Sequence, residues 1–281
     1  MIRRRSTLRS PQRAKEKREQ LLLRLYVGAG AFVLFVVGLA FLSHAPFMSI
    51  KHIDIEGNEV ITHDELAQYV EEHIAGNYLW VFSKKNILLY PRRTIERGIL
   101  RDFSRTQNAD VFFKNMTTIG VRVEERKPFA VWCDSVAYND VPTFSDDCYL
   151  MNEHGLIFAT APQFSGAIYI TYYGNISAKD PIGQTYMQES DLLAVHGFVE
   201  SVHELGFAVD KVYVHDDGDI DVYTKHGGKI FVSLRTSLDA ALEHLGSLMS
   251  DRTTIPDTQV FFETLDYIDL RFGKKIFFKL L

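Results

Sequence analysis

The sequence predicts an α+β fold hung from one membrane-crossing helix, on three observations. Leu25 to Leu42, LYVGAGAFVLFVVGLAFL, is eighteen consecutive residues without a charge. Residues 48–126 then read strand, helix, helix, strand, strand. From 127 to 281 short strands dominate, interrupted by two or three helices, which predicts a mixed, mostly antiparallel β domain.

The uncharged run comes first because it divides the rest. At about 1.5 Å per residue it reaches ~27 Å, close to the ~30 Å hydrocarbon core of a bilayer. Leu21 to Leu23 lengthen it if Arg24 snorkels to the interface. Pro46 closes it, since proline cannot continue a helix. Residues 25–45 are therefore expected to form a transmembrane helix. A cleaved signal peptide is the competing reading, with small residues at Ser43-His44-Ala45. The 24-residue head, the length of the run and Pro46 just past the cut favour an uncleaved anchor.

Charge sets the expected orientation. Residues 1–25 carry nine Lys or Arg and two Glu, or +7; with −5 for the whole chain, the remainder sums to −12. A basic head can bind nucleic acid, but one directly before an apolar span fits the positive-inside rule. Residues 1–24 are thus read as a basic cytoplasmic tail, 1–20 disordered for want of an apolar face. The acidic bulk is placed outside. Over the whole chain the charged fraction of 24% and hydrophobic fraction of 46% are ordinary for globular protein.

In the first folded segment Ile53 and Ile55 alternate with Asp54 and Glu56, a half-buried strand, and Gly57-Asn58 turns the chain. Thr62 to Glu65 reads as a capping box opening a helix with Leu66, Tyr69, Val70 and Ile74 on one face. Gly76-Asn77 stops it. After an irregular stretch, Pro91 starts a second helix with Ile95, Ile99, Leu100 and Phe103 apolar. Strands at Asp110–Lys114 and Thr117–Glu125 complete three strands with helices on one face.

The second segment begins with strands at Phe129–Cys133, Cys148–Met151 and Leu156–Phe158, followed by Ile168–Tyr173. A helix from Ser190 buries Leu192, Val195, Val199, Val202 and Leu205. Lys211–Val214, Ile220–Tyr223 and Ile230–Leu234 form a meander, and a helix from about Ser237 follows. Val260–Glu263, Tyr267–Leu270 and Ile276–Leu281 are the last expected strands. Cys133 and Cys148, separated by 15 residues, permit a disulfide in an oxidising exterior; two buried free thiols are the alternative. Pairing either cysteine with His154 as a nucleophile lacks a recognisable motif.

The scan for chemistry is brief. His215 to Asp221 is the densest acidic cluster, but the frame of a calcium loop is missing, and a Gly-containing hairpin turn explains it. His203-Glu204 lacks a second histidine at i+4, and no nucleophile elbow, Walker loop or dinucleotide fingerprint stands between a strand and a helix. Asn115-Met116-Thr117 and Asn175-Ile176-Ser177 match the glycosylation sequon. No active site, metal site or cofactor is expected. Lys274 to Leu281, KKIFFKLL, is β-prone and read as the closing edge strand. It either completes the sheet, with lysines discouraging aggregation, or offers unpaired backbone to a partner strand.

In this order the motifs resemble the FtsQ/DivIB family of bacterial cell-division proteins. A basic head and one span precede HIDIEGNEVITHDEL, and the 48–126 unit is similar to that family's POTRA domain. Glu124 to Trp132 resembles the passage into its β domain, here 127–281. Tyr267, Asp269, Leu270 and Arg271 lie in YIDLRF, which resembles a second family signature. The stretch from Tyr78 to Pro91 is longer than usual, and the cysteine pair is not a general family feature. The resemblance implies a non-enzymatic, single-pass scaffold of the divisome, found at the septum. It links division proteins and recruits an FtsB/FtsL-like pair of single-span partners to control septal cell-wall synthesis. It implies partner binding at Lys275, Ile276, Phe277, Phe278 and Lys279. A membrane-anchored enzyme and a POTRA-bearing assembly factor are the rival readings; the second would need many ~10-residue amphipathic strands for a barrel.

Overall fold

The computed structural model describes residues 11–138, 141–163, 168–176, 178–273 and 275–281. Met1–Ser10, Ser177 of the second sequon and Lys274 lie outside them. The uncharged run sits inside a longer helix, α1 (Pro11–Ser43). Its 26 residues Arg18–Ser43 are long and apolar enough to cross a membrane. Residues 11–20, expected to be disordered, are helical instead. Ala, Lys, Glu, Arg and Gln are good helix formers, and a helix nucleated downstream propagates into them at little cost.

The chain divides into two compact units: residues up to Asp102 with Asn108–Glu124, and Phe103–Gln107 with Glu125–Leu281. In the first, a 3-10 turn at Pro46–Met48 leads to β1 (His52–Glu56) and α2 (His63–Ile74). The capping box is formed: the Glu65 N–H donates to Thr62 Oγ1 at 3.3 Å and the Thr62 N–H to Glu65 Oε2 at 3.0 Å. Two short strands, β2 (Asn77–Tyr78) and β3 (Phe82–Ser83), make a hairpin before α3 (Arg92–Asp102). β4 (Thr106–Asn115) and β5 (Thr118–Glu125) follow.

The small sheet runs β1-β5-β4, with β1 and β5 parallel and Ile53 and Ile55 opposite Ile119 and Val121. Leu66, Val70 and Ile74 of α2 and Ile95, Gly98 and Ile99 of α3 are buried. Leu100, expected on that face, is 40% exposed; Gly98 takes the inner position. A Cβ there would stand 2.2 Å from the Tyr69 hydroxyl. That hydroxyl donates to Asp102 at 2.7 Å, and burial followed by this bond pushes the Tyr69 phenol up to about 12. Gly57, at φ +83, likewise has no substitute: a Cβ would lie 2.3 Å from the Val123 carbonyl oxygen. The hairpin tip is different. Leu79 (φ 47) and Trp80 (φ 68) hold left-handed backbone without being glycine, at about 1–2 kcal/mol each.

The second unit carries β6 (Ala130–Tyr138), β7 (Val141–Met151), β8 (Ile157–Thr160) and β9 (Thr171–Gly174). Then come α4 (Glu189–Glu204), β10 (Val209–Val214), β11 (Asp219–Thr224) and β12 (Lys229–Ser233). α5 (Leu238–Ser250), α6 (Thr258–Thr264), β13 (Leu265–Asp269) and β14 (Phe277–Leu280) complete it. The nine strands form one mixed sheet in the order β14-β13-β12-β11-β10-β9-β6-β7-β8. The pairs β12–β13, β9–β10 and β6–β9 are parallel and the others antiparallel.

The strand expected at Val260–Glu263 is a helix, α6. Asp257 caps it, its Oδ1 accepting from the N–H groups of Gln259 (2.9 Å) and Val260 (3.2 Å). Phe261 is buried, and Phe262 meets the Phe207 ring edge-on at 4.8 Å. The first two expected strands are ends of one long hairpin, β6–β7. Cys133 and Cys148 are opposite each other in its register and joined as a disulfide.

Alternation gives the large sheet two faces. Trp132, Tyr172, Val212, Ile220, Val222, Ile230 and Ile268 point to the core that α4 and α5 cover with Leu192, Val195, Val199, Ala241 and Leu245. Full burial stabilises each large apolar side chain by about 1.5–3 kcal/mol. Val131, Cys133, Leu150 and Phe158 form a smaller cluster on the opposite face. Phe103–Gln107 is tied to this unit. Ser104 Oγ donates to the Phe158 carbonyl at 2.8 Å, Arg105 lies 5.5 Å over the Phe158 ring, and the Arg126 N–H donates to Arg105 O at 2.7 Å.

Candidate functional site

The residues singled out near the end of the sequence converge on one edge of the large sheet. β14 pairs antiparallel with β13, with Leu280 opposite Leu265, Lys279 opposite Tyr267, Phe278 opposite Ile268 and Phe277 opposite Asp269. Among the described residues β13 is its only strand neighbour. The Leu281 N–H donates inward to Thr264 O at 2.8 Å. In an extended strand successive residues turn their backbone groups to opposite sides, so Lys279 and Phe277 also address β13. Phe278 and Leu280 present their N–H and C=O groups outward. This is the hydrogen-bonding row that an added strand uses.

Side chains along the edge leave it apolar. Phe277 is 48% and Phe278 36% exposed, and Leu280 and Lys275 are exposed as well. Phe278 stands edge-on to Phe261 of α6 at 5.8 Å, and Phe277 edge-on to Phe272 at 5.5 Å. Lys279 Nζ pairs with Asp266 at 2.7 Å, a hydrogen bond that raises its pKa. Ile276 precedes the strand and packs against the helix-covered core.

Tyr267, Asp269, Leu270 and Arg271 build the support behind this edge. Arg271 donates from Nε (3.0 Å) and Nη2 (2.6 Å) to the two oxygens of Asp269, and from Nη1 to Asp219 Oδ2 at 2.8 Å. Its backbone N–H also donates to Asp269 Oδ1 at 3.0 Å. The guanidinium lies 5.2 Å over the Phe231 ring, which in turn meets Tyr267 at 5.8 Å. Leu270 is buried, and its N–H donates to Phe231 O at 2.9 Å. These residues therefore clamp β13 to β12 and β11 and fix the turn from which β14 departs.

The clamp is electrostatically locked. Its hydrogen bonds to Asp269 hold the Arg271 pKa above the ordinary guanidinium value, against partial burial. Burial pushes the Asp219 carboxyl up, but hydrogen bonds from Ser233 and Arg271 and the charges of Arg235 and Arg271 bring it below its usual value. Arg235 reaches Asp219 Oδ1 at 2.5 Å. Groups held this way stay charged at neutral pH. They suit a fixed frame rather than proton transfer.

Asp219 and Asp266 are the site residues that sequence reasoning missed. In the sequence Asp219 is one residue of an acidic turn, and its partners Arg235 and Arg271 stand 16 and 52 residues away. The only local signal was an acidic residue at the head of a strand. The disulfide belongs elsewhere: it lies in β6–β7, near the opposite end of the sheet order. No group of three or more His, Cys, Asp or Glu among the described residues could hold a metal ion. No protein-family model matches the chain, and no curated protein matches it.

Proposed function

We propose that the chain is a single-pass membrane scaffold of the FtsQ/DivIB kind, acting in bacterial division by binding and positioning. The observation that carries this reading is the apolar β14 edge, held by the Arg271 clamp behind the YIDLRF signature. On this reading residues 48–126 are the POTRA-like domain and 127–281 the β domain. The partner is an FtsB/FtsL-like single-span pair that adds a strand along Phe277–Lys279. The basic head faces the cytoplasm and the bulk lies outside the membrane; the Cys133–Cys148 disulfide supports an oxidising location.

Phe278→Pro tests the edge directly. Proline removes an outward N–H and leaves the bonds to β13 intact, a substitution that edge strands tolerate. Co-purification with the FtsB homologue should be lost while stability falls only by the lost Phe278–Phe261 ring contact, about 0.5–1.5 kcal/mol. Undiminished co-purification would refute strand addition here. Phe277→Pro removes an inward N–H and should instead detach β14 from β13, lowering stability as well.

A further inference from the structure

We propose that the β2–β3 hairpin is a membrane-surface insert, its Leu79-Trp80 tip lying among lipid headgroups and upper acyl chains of the bilayer that α1 crosses. The proposal rests on α1 being a membrane span and is independent of the division partner.

The hairpin is fastened to the last turn of α1. The Ser83 N–H donates to Ser43 Oγ at 3.3 Å, and buried Asn86 donates from Nδ2 to the Ser43 carbonyl at 3.0 Å. The Ile87 N–H reaches Met48 O at 2.8 Å, and the Ile50 N–H reaches Lys85 O at 2.8 Å. Between helix and hairpin runs an apolar cleft of about 350 Å³, lined by Leu39, Leu42, Tyr78, Phe82 and Leu89 among others. Leu39 is four residues before Ser43, roughly 6 Å along the helix axis and inside the uncharged run. The base of the hairpin therefore sits where the span leaves the hydrocarbon.

The tip is built for neither water nor the protein core. Trp80 is 95% and Leu79 84% exposed. The loop from Tyr78 to Phe82 is three residues, Leu79 to Val81, and the Val81 N–H donates to Tyr78 O at 3.0 Å, closing a turn whose two central residues are at positive φ. Such positions ordinarily take Asn-Gly or Asp-Gly, which adopt that backbone cheaply and face water well. Here two large apolar residues hold it, strained and uncovered. A bilayer boundary explains the choice, since tryptophan and tyrosine concentrate there with flanking lysines. Tyr78 lies under Lys84 Nζ at 5.6 Å, and Lys85 is exposed beside it. Together they supply the aromatic and basic groups that meet acyl chains and phosphates.

Two tryptophans make the test direct, because Trp132 is buried in the other unit. The full chain is reconstituted in phosphatidylethanolamine/phosphatidylglycerol vesicles whose acyl chains are brominated near the carbonyl end or at mid-chain. Shallow bromines should quench roughly half of the tryptophan emission and deep ones less, as an interfacial residue requires. Trp80→Phe should abolish the quenching. Leu79→Asp, which accepts positive φ more readily than leucine, should cut it severalfold without lowering the thermal midpoint. A chain that floats with vesicles but shows an unquenched, iodide-accessible Trp80 overturns the insert and leaves the anchor standing. Protection from iodide without bromine quenching overturns it too, in favour of self-association. A chain that fails to float overturns the anchor and the insert together.

Discussion

At the scale of single residues, Arg271 bears more than its neighbours. It satisfies two carboxylates that are largely buried, with Asp219 15% and Asp269 9% exposed at the side chain. Arg271→Ala leaves both without it, though Arg235 still serves Asp219. The expected loss is about 2–4 kcal/mol, measurable by urea unfolding of the full chain in detergent. Arg271→Lys should recover little of it, because an ammonium cannot reproduce the fork on Asp269. The same clamp sets an acid limit. The folded Asp219 pKa lies below the unfolded value of about 3.9, so its contribution is complete above that pH and is lost as pH falls through the folded value. The stability gap between wild type and Asp219→Asn should be widest at neutral pH and close below about pH 4. Arg271 stood out in the sequence because it sits in a short motif. Asp219 did not, since nothing local marks a partner brought in by a neighbouring strand.

Among elements, local chemistry decided what could be read ahead. The box from Thr62 to Glu65 closes within one turn, so α2 and its start were legible. The segment TQVFFE was not, because its apolar residues fit a strand as well as a short helix; the Asp257 cap and the Phe261 pocket select the helix. The β6–β7 hairpin was seen only by its apolar ends. The disulfide across it closes a loop of 15 residues, worth roughly 3 kcal/mol in the chain-entropy model. Cys133→Ala with Cys148→Ala should lower unfolding stability by about that amount, read by denaturant titration with and without reductant. Reductant should destabilise the wild type and leave the double variant unmoved. The order of nine strands had no local signature, because it depends on which distant segments cover each other's hydrophobic faces.

For the whole molecule, the proposed role predicts where the protein works and what its loss does. A fluorescent fusion should form mid-cell rings in dividing cells, and depletion should give filaments; diffuse membrane signal with normal division would exclude a division role. The apolar run is the most legible feature of the sequence, since eighteen uncharged residues need no tertiary partner to be recognised. The threading of the two units leaves no such local mark. Phe103–Gln107 is bonded into the second unit although Asn108–Glu124 returns to the first. The boundary between the units is therefore crossed three times by the backbone. Neither half is a cassette: no single cut in the chain separates the two units, and a fragment begun at Glu125 leaves behind the strip that covers Phe158.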